Sequence, residues 1–123
     1  MKKVLTIAAI SGMTAVMLGA FGAHGLKLIS PEMLEVYKTG IQYQFYHTFA
    51  LLAVGILMHI NPSKSLKWSA NLFMIGMVLF SGSLYVLAIS GIKILGIITP
   101  FGGVAFIAGW GLLAKHCWKL SKV

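Results

Sequence analysis

The stretch IQYQFYHTFALLAVGILMHI, residues Ile41–Ile60, decides the fold. It is apolar over the length a helix needs to cross a bilayer, about 20 residues at 1.5 Å rise for a ~30 Å hydrocarbon core. No water reaches that core, so every backbone N–H and C=O must be paired within its own segment, and an isolated run of this kind is a helix. Three more runs of the same character surround it, from about Val4 to Ala23, from Trp68 to Ser90 and from Pro100 to Trp118. The expected fold class is an all-α membrane protein, a four-transmembrane-helix bundle with residues 1–123 forming a single integral membrane domain.

Composition points the same way. With 59% hydrophobic and 10% charged residues and a mean hydropathy of +0.91, the chain has too little polar surface to cover a soluble fold of its size. Its charge is one-sided, with ten lysines and no arginine against Glu32 and Glu35, for a net +8. Nucleic-acid binders cluster their cations on a wet face. Here the lysines stand at the ends of apolar runs, so they read as membrane-flanking cations and no nucleic-acid partner is expected.

The breaks between the runs carry helix punctuation. Ser30-Pro31-Glu32 reads as an N-cap, a proline at the first helical position and an acid in the first turn. Thr99-Pro100 repeats that device before the fourth run, and Asn61-Pro62-Ser63 reads as a turn. Between the first two runs, residues 31–39 predict a short interfacial helix, with Met33, Leu34 and Tyr37 toward the apolar boundary and Glu32, Glu35 and Lys38 in water. Glu35 and Lys38 form an i,i+3 pair on a solvated face, worth a few tenths of a kcal/mol.

Met1-Lys2-Lys3 before an apolar run also has the form of a secretory signal, and Ala20-Phe21-Gly22 resembles a cleavage site. The apolar stretch is long for a signal's core of ~7–15 residues. Ala8, Gly12, Ala15 and Gly19 also recur at near-four-residue spacing, a stripe that lets packed helices approach closely. The segment is therefore expected to remain as a span. Counting lysines in the short loops puts Lys2, Lys3, Lys64, Lys67, Lys115, Lys119 and Lys122 on one side against Lys27, Lys38 and Lys93 on the other. The positive-inside rule then places both termini in the cytoplasm of a multi-pass cell-membrane protein. Trp68 and Trp118 meet the interface on that side, and the lone Cys117 faces a reducing compartment where no structural disulfide is expected.

Polar residues inside the spans are the candidate site, because an unsatisfied polar group in hydrocarbon costs several kcal/mol. His47 is the one ionisable residue away from both ends of its span. At 100° per residue, Tyr37, Gly40, Gln44, His47, Thr48, Leu51 and Gly55 share one stripe that must face the bundle, while Gln42 and Tyr46 point to lipid. His24 closes the first span among glycines, and Ser81 and Tyr85 lie one turn apart in the third. These groups converge on the outer half of the bundle. The candidate binding residues are His24, Gln44, His47, Thr48, Ser81 and Tyr85.

Each also has a structural reading. His47 and Gln44 can hydrogen-bond across helices, a glue worth about 0.6 kcal/mol on average in membrane interiors. Thr48 and Ser81 can bond back to the i−4 carbonyls of their own helices, and Tyr85 can be a satisfied buried phenol. His24 can be a helix cap or headgroup contact, and His59 and His116 read as interface residues at the cytoplasmic ends.

The runs GAFGAHGL at residues 19–26, YQFYH at Tyr43–His47, FSGSLY at Phe80–Tyr85, TPFGG at Thr99–Gly103 and GW at Gly109–Trp110 resemble those of a known group. This is the domain of unknown function 423 family, small bacterial membrane proteins related to the transmembrane protein 256 family. The resemblance covers essentially the whole chain and implies a four-span membrane protein of an uncharacterised family, with no activity, cofactor or ligand attached. Tyr37 departs from the tryptophan often found in relatives, which preserves an interfacial aromatic.

Three functions fit the residues. The first is a non-enzymatic module that binds a lipid, a small amphiphile or a membrane-protein partner in a polar groove of neutral donors and acceptors. The second is a small transporter or proton-conducting protein acting as an oligomer, for which the absence of any acid within a span leaves only His47 to couple. The third is a haem- or quinone-binding redox protein using His24 and His47, without a recognised attachment or metal spacing. No nucleophile, base and acid form a catalytic set, so no enzyme, metal or cofactor is expected. The small-residue stripes suit packing within one bundle or between protomers, which leaves a homo-oligomer open.

Overall fold

The computed structural model describes residues 2–25 and 29–120. Four helical stretches in them are long and apolar enough to cross a membrane: Lys2–Gly25, Pro31–Ile60, Lys64–Ser90 and Lys93–Leu120. The chain is an all-α membrane protein, and the four runs predicted from sequence lie inside these helices. Leu26 and Lys27 of the quoted motif and loop, and Lys122 of the lysine count, fall outside the described residues.

The first helix, α1 (Lys2–Gly25), turns Val4, Ala8 and Ala15 inward. The small-residue stripe does lie against the second helix: a Cβ built on Gly12 would stand 3.6 Å from the Thr48 methyl. The second helix, α2 (Pro31–Ile60), is a single element of 30 residues, about 45 Å long at 1.5 Å per residue. It begins as the sequence predicts, with the Ser30 side chain accepting from the Met33 N–H at 3.2 Å and proline at the first position. The separate interfacial helix over 31–39 is corrected: those residues are helical, but they run without a break into the second span. Gly40 does not interrupt the helix because its bare backbone is braced from outside. The Ser81 hydroxyl donates to its carbonyl at 2.7 Å, and a Cβ there would sit 2.8 Å from the Tyr85 ring. That bond and close approach offset the roughly 1 kcal/mol that glycine costs within a helix.

Asn61 and Pro62 end α2, and Ser63 caps the next helix by accepting from the Leu66 N–H at 3.2 Å. The third span is built from α3 (Lys64–Gly76), a π-helical turn (Met77–Ser81) and α4 (Gly82–Ser90). The Ser83 hydroxyl donates to the Phe80 carbonyl at 2.9 Å beside the widened turn, which gives a backbone acceptor a partner where the helical ladder changes register. Gly91 closes α4 at φ 73°, the left-handed conformation that glycine adopts without strain.

A 3-10 turn (Lys93–Ile97) then leads into α5 (Thr99–Leu120). Thr99 is not the N-cap expected from sequence. The N–H groups of Phe101 and Gly102 bond to the Ile98 carbonyl, and the Thr99 hydroxyl pairs with Ser83 Oγ at 2.6 Å instead. The Ile98 carbonyl, just past the 3-10 turn, supplies the backbone partner that a capping side chain would otherwise provide.

Close backbone packing joins α1 to α2, α2 to the whole third span, and the third span to α5. Val4, Ala8, Leu51, Val54, Leu66, Phe73, Met77 and Phe106 make the central core. The outer surface is the apolar one that lipid requires: Val78 is 71% exposed and Ile107 73%, exposures that would favour aggregation in water. Gln42 and Tyr46 are exposed as predicted, and all seven residues of the inward stripe of α2 are buried.

Candidate functional site

Gln44 is the centre of the largest polar cluster between the spans. Its Nε2 donates to the Ser11 carbonyl at 2.9 Å and to Thr14 Oγ1 at 3.0 Å, and its Oε1 accepts from the Tyr85 hydroxyl at 2.5 Å. The Ser11 carbonyl can only accept, which fixes the orientation of the amide. The Thr14 hydroxyl donates to that same carbonyl at 3.0 Å. Ser11 Oγ and Thr48 Oγ1 share a hydrogen bond of 2.7 Å, with Met77 Sδ at 3.6 and 4.0 Å from them. Three helices that are distant in sequence thus meet through one buried amide. An amide placed in hydrocarbon without such partners would cost several kcal/mol.

His47 belongs to a different cluster. It lies less than one turn from Gln44, and its ring is turned toward α5. Nδ1 lies 2.7 Å from the Tyr43 carbonyl, an acceptor only, so Nδ1 carries the hydrogen. Nε2 therefore accepts from the Trp110 indole N–H at 3.0 Å. The ring stacks on Phe106 with centroids 3.5 Å apart and planes 8° apart, and Phe73 and Trp110 close around it. Both ring nitrogens are engaged, so ligation of a metal or haem iron would break one of these bonds.

The remaining sequence candidates are placed as follows. Ser81 is buried and donates to the Gly40 carbonyl across the helix interface. Its predicted bond to its own helix is absent, as is that of Thr48, because partners on neighbouring helices take both hydroxyls. Tyr85 is a satisfied phenol, held by Gln44. His24 is exposed at the last turn of α1, and among the described residues no hydrogen bond or ring contact joins it to His47 or to the Gln44 cluster. Tyr37 is 1% exposed and donates to the Leu18 carbonyl at 2.5 Å, so it faces the bundle rather than the membrane boundary. His116 is not an interface residue: it is 5% exposed, and its Nδ1 lies 2.8 Å from the Ser63 hydroxyl that caps α3.

Sequence reasoning missed Ser11, Thr14 and Trp110. Ser11 and Thr14 are polar residues one turn apart in an apolar run, so the depth argument applied to Gln44 would have singled them out. The indole of Trp110 carried no such signal, since only the fold turns it toward His47.

The two clusters fill unlike gaps. Between α2 and α5 the aromatic rings of Tyr43, His47, Phe80 and Phe106 close the space, with Tyr43 and Phe80 centroids 4.4 Å apart. Between α1 and the third span the closure is incomplete, and a groove of about 290 Å³ remains. Ile7 and Ile10 form one wall, Met74 and Val78 the other, and Ser11, Thr14, Gln44 and Tyr85 contribute the polar lining. That volume is at the small end of ligand clefts, ~300–1,000 Å³. Gly82 also lines the groove, and a Cβ built there would meet nothing within 4 Å. The sequence places its expected site in the outer half of the bundle, with His24, Gln44, His47, Thr48, Ser81 and Tyr85. Of these six, Gln44 and Tyr85 line this groove and the other four do not, and Ser11 and Thr14 set the polar cluster about halfway along α1.

Four apolar helices and a neutral polar cluster linking three of them define a small polytopic α-helical membrane protein. The chain belongs to the DUF423 family, whose model, described as a protein of unknown function, matches residues 18–103. Relatives named UPF0382 membrane proteins include one from Staphylococcus saprophyticus, 45% identical over 98% of this chain and 100% of its own. YwdK of Bacillus subtilis is 47% identical over 97% of this chain and 98% of its own. YgdD of Escherichia coli K12, named an inner membrane protein, is 45% identical over 96% of this chain and 91% of its own. No solved structure matches the chain.

Proposed function

We propose that this protein is a non-enzymatic membrane module that holds a small amphiphile in the groove between α1 and the third span, with both termini in the cytoplasm. The observation that carries the reading is the groove itself: apolar walls open to the bilayer and a lining of four neutral polar side chains at mid-depth. Gly82 supports it. Glycine within a helix costs about 1 kcal/mol relative to alanine, its backbone here is ordinary helix, and no neighbouring atom requires the missing side chain. What the missing side chain gains is room in the groove. The non-enzymatic part of the reading rests on closure of the polar groups, since the hydrogens of Gln44, Thr14 and Tyr85 and both nitrogens of His47 are already engaged. Seven lysines against three support the orientation.

Native mass spectrometry of the full chain, purified in mild detergent, tests this. The wild type is expected to carry a bound lipid mass that Gly82→Leu, which fills the groove, does not retain. Equal retention by both proteins, or none by either, ends the amphiphile reading. A protein mass in place of the lipid makes the groove a helix-docking site instead.

A further inference from the structure

Resting on that reading of the groove, we infer that its ligand is a neutral lipid headed by a hydroxyl group, a long-chain alcohol, bound as a hydrogen-bond donor. The inference comes from counting hydrogens. A glutamine amide has two donor hydrogens, and each hydroxyl has one. The two of Gln44 go to the Ser11 carbonyl and Thr14 Oγ1, that of Thr14 goes to the Ser11 carbonyl, and that of Tyr85 goes to Gln44 Oε1. Ser11 and Thr48 bond to each other, and whichever hydrogen is left over has Met77 Sδ in reach. Every donor hydrogen of the cluster is therefore spent inside the chain. What remains on the two side chains that line the groove is acceptor capacity: a lone pair of the Tyr85 oxygen and the second lone pair of Gln44 Oε1.

An acceptor-only head finds no donor here. Quinones, esters and phosphates are of that kind, and each would leave its own oxygen desolvated and unpaired. An ammonium head donates, but a charge at bilayer mid-depth is expensive without a counter-ion. The chain's only acids, Glu32 and Glu35, are both exposed in the first turns of α2, well away from the groove. A neutral hydroxyl satisfies both conditions. It donates to Tyr85 or Gln44, and its alkyl chain takes the apolar walls of Ile10, Met74 and Val78.

A matched pair of probes separates this assignment from the groove reading beneath it. The full chain in phosphatidylcholine nanodiscs is photolabelled with a long-chain alcohol bearing a diazirine in its chain. Unlabelled alcohol and its methyl ether, which keeps the oxygen and loses the hydrogen, then compete. Labelling is expected on residues 7–14 and 74–85 and is lost in Gly82→Leu, with Val78→Trp on the groove wall as a second blocking variant. The ether should need roughly fivefold more than the alcohol to compete, the worth of one net hydrogen bond. Equal competition by alcohol and ether, with labelling still lost in the blocked variants, overturns the donor assignment and leaves the groove standing. Stronger competition by a quinone or an amine does the same. Labelling that the blocked variants do not diminish overturns the groove reading and this inference together.

Discussion

Gln44 and His47 are separated by less than one turn of α2, yet the direction of each side chain gives it a different role. His47 is closed on all sides: its nitrogens bond to Tyr43 and Trp110, and its ring lies against Phe106. Its removal should therefore cost stability and nothing else. His47→Ala is expected to lower the unfolding free energy by about 2–4 kcal/mol, from the lost ring and the unpaired indole N–H. Lipid retention by native mass spectrometry should be unchanged. Gln44→Leu should cost stability as well, because it strands the Tyr85 hydroxyl, and it should also weaken retention of the groove's occupant. Thermal unfolding in detergent, measured beside retention for both variants, separates the roles. A loss of retention in His47→Ala would show that the two clusters act as one. The inward stripe from Tyr37 to Gly55 was legible in the sequence because helical periodicity alone places those residues on one face. The partition of its polar members was not, since it depends on Ser11, Thr14 and Trp110, which lie 30 or more residues away.

At the scale of the elements, what sets a glycine's role is what lies opposite it. Gly102 at the start of α5 and Gly82 at the start of α4 look alike in sequence, each in a short polar and small-residue run. A Cβ on Gly102 would stand well inside van der Waals contact of the Phe80 backbone nitrogen, which cannot swing aside as a side chain could. Gly102→Ala should then push α5 off the π-helical turn and destabilise by about 3 kcal/mol or more, the upper range for overpacking. Gly82→Ala meets open space and gains helix propensity, so it should stabilise by about 0.5–1 kcal/mol. Opposite signs in thermal unfolding are the expected result, and equal destabilisation would mean that Gly82 is packed. The same principle explains where element boundaries were misread. Gly40 has the composition of a break between an interfacial helix and a span, but Ser81 of the π-helical turn and Tyr85 of α4 hold its backbone helical. Span existence and caps such as Ser30 are local properties and could be read from sequence. Continuity through Gly40, the π-helical turn and the 3-10 entry to α5 are set by neighbours that the local sequence does not contain.

For the whole molecule, the polar cluster and the lysines address different questions. The cluster joins α1, α2 and α4 from within, through groups that are neutral and indifferent to which side is cytoplasmic. Orientation is left to the charged ends, where an excess of lysine resists translocation during insertion. An even number of spans puts both termini on one side, and the proposed orientation sets that side, with the lysine-rich ends and with Lys64 and Lys67 in the first turn of α3, in the cytoplasm. The chain has a built-in reporter for this, because Cys117 is its only cysteine and is exposed at the end of α5. A membrane-impermeant maleimide is expected to leave Cys117 unlabelled in intact cells and to label it once the membrane is opened. A Lys93→Cys protein, with Cys117 replaced by serine, should show the reverse, since Lys93 lies at the opposite end of the fourth helix. Labelling of Cys117 in intact cells would invert the topology. It would also leave the groove untouched, because nothing in the hydrogen bonding of Gln44 depends on which leaflet is outer.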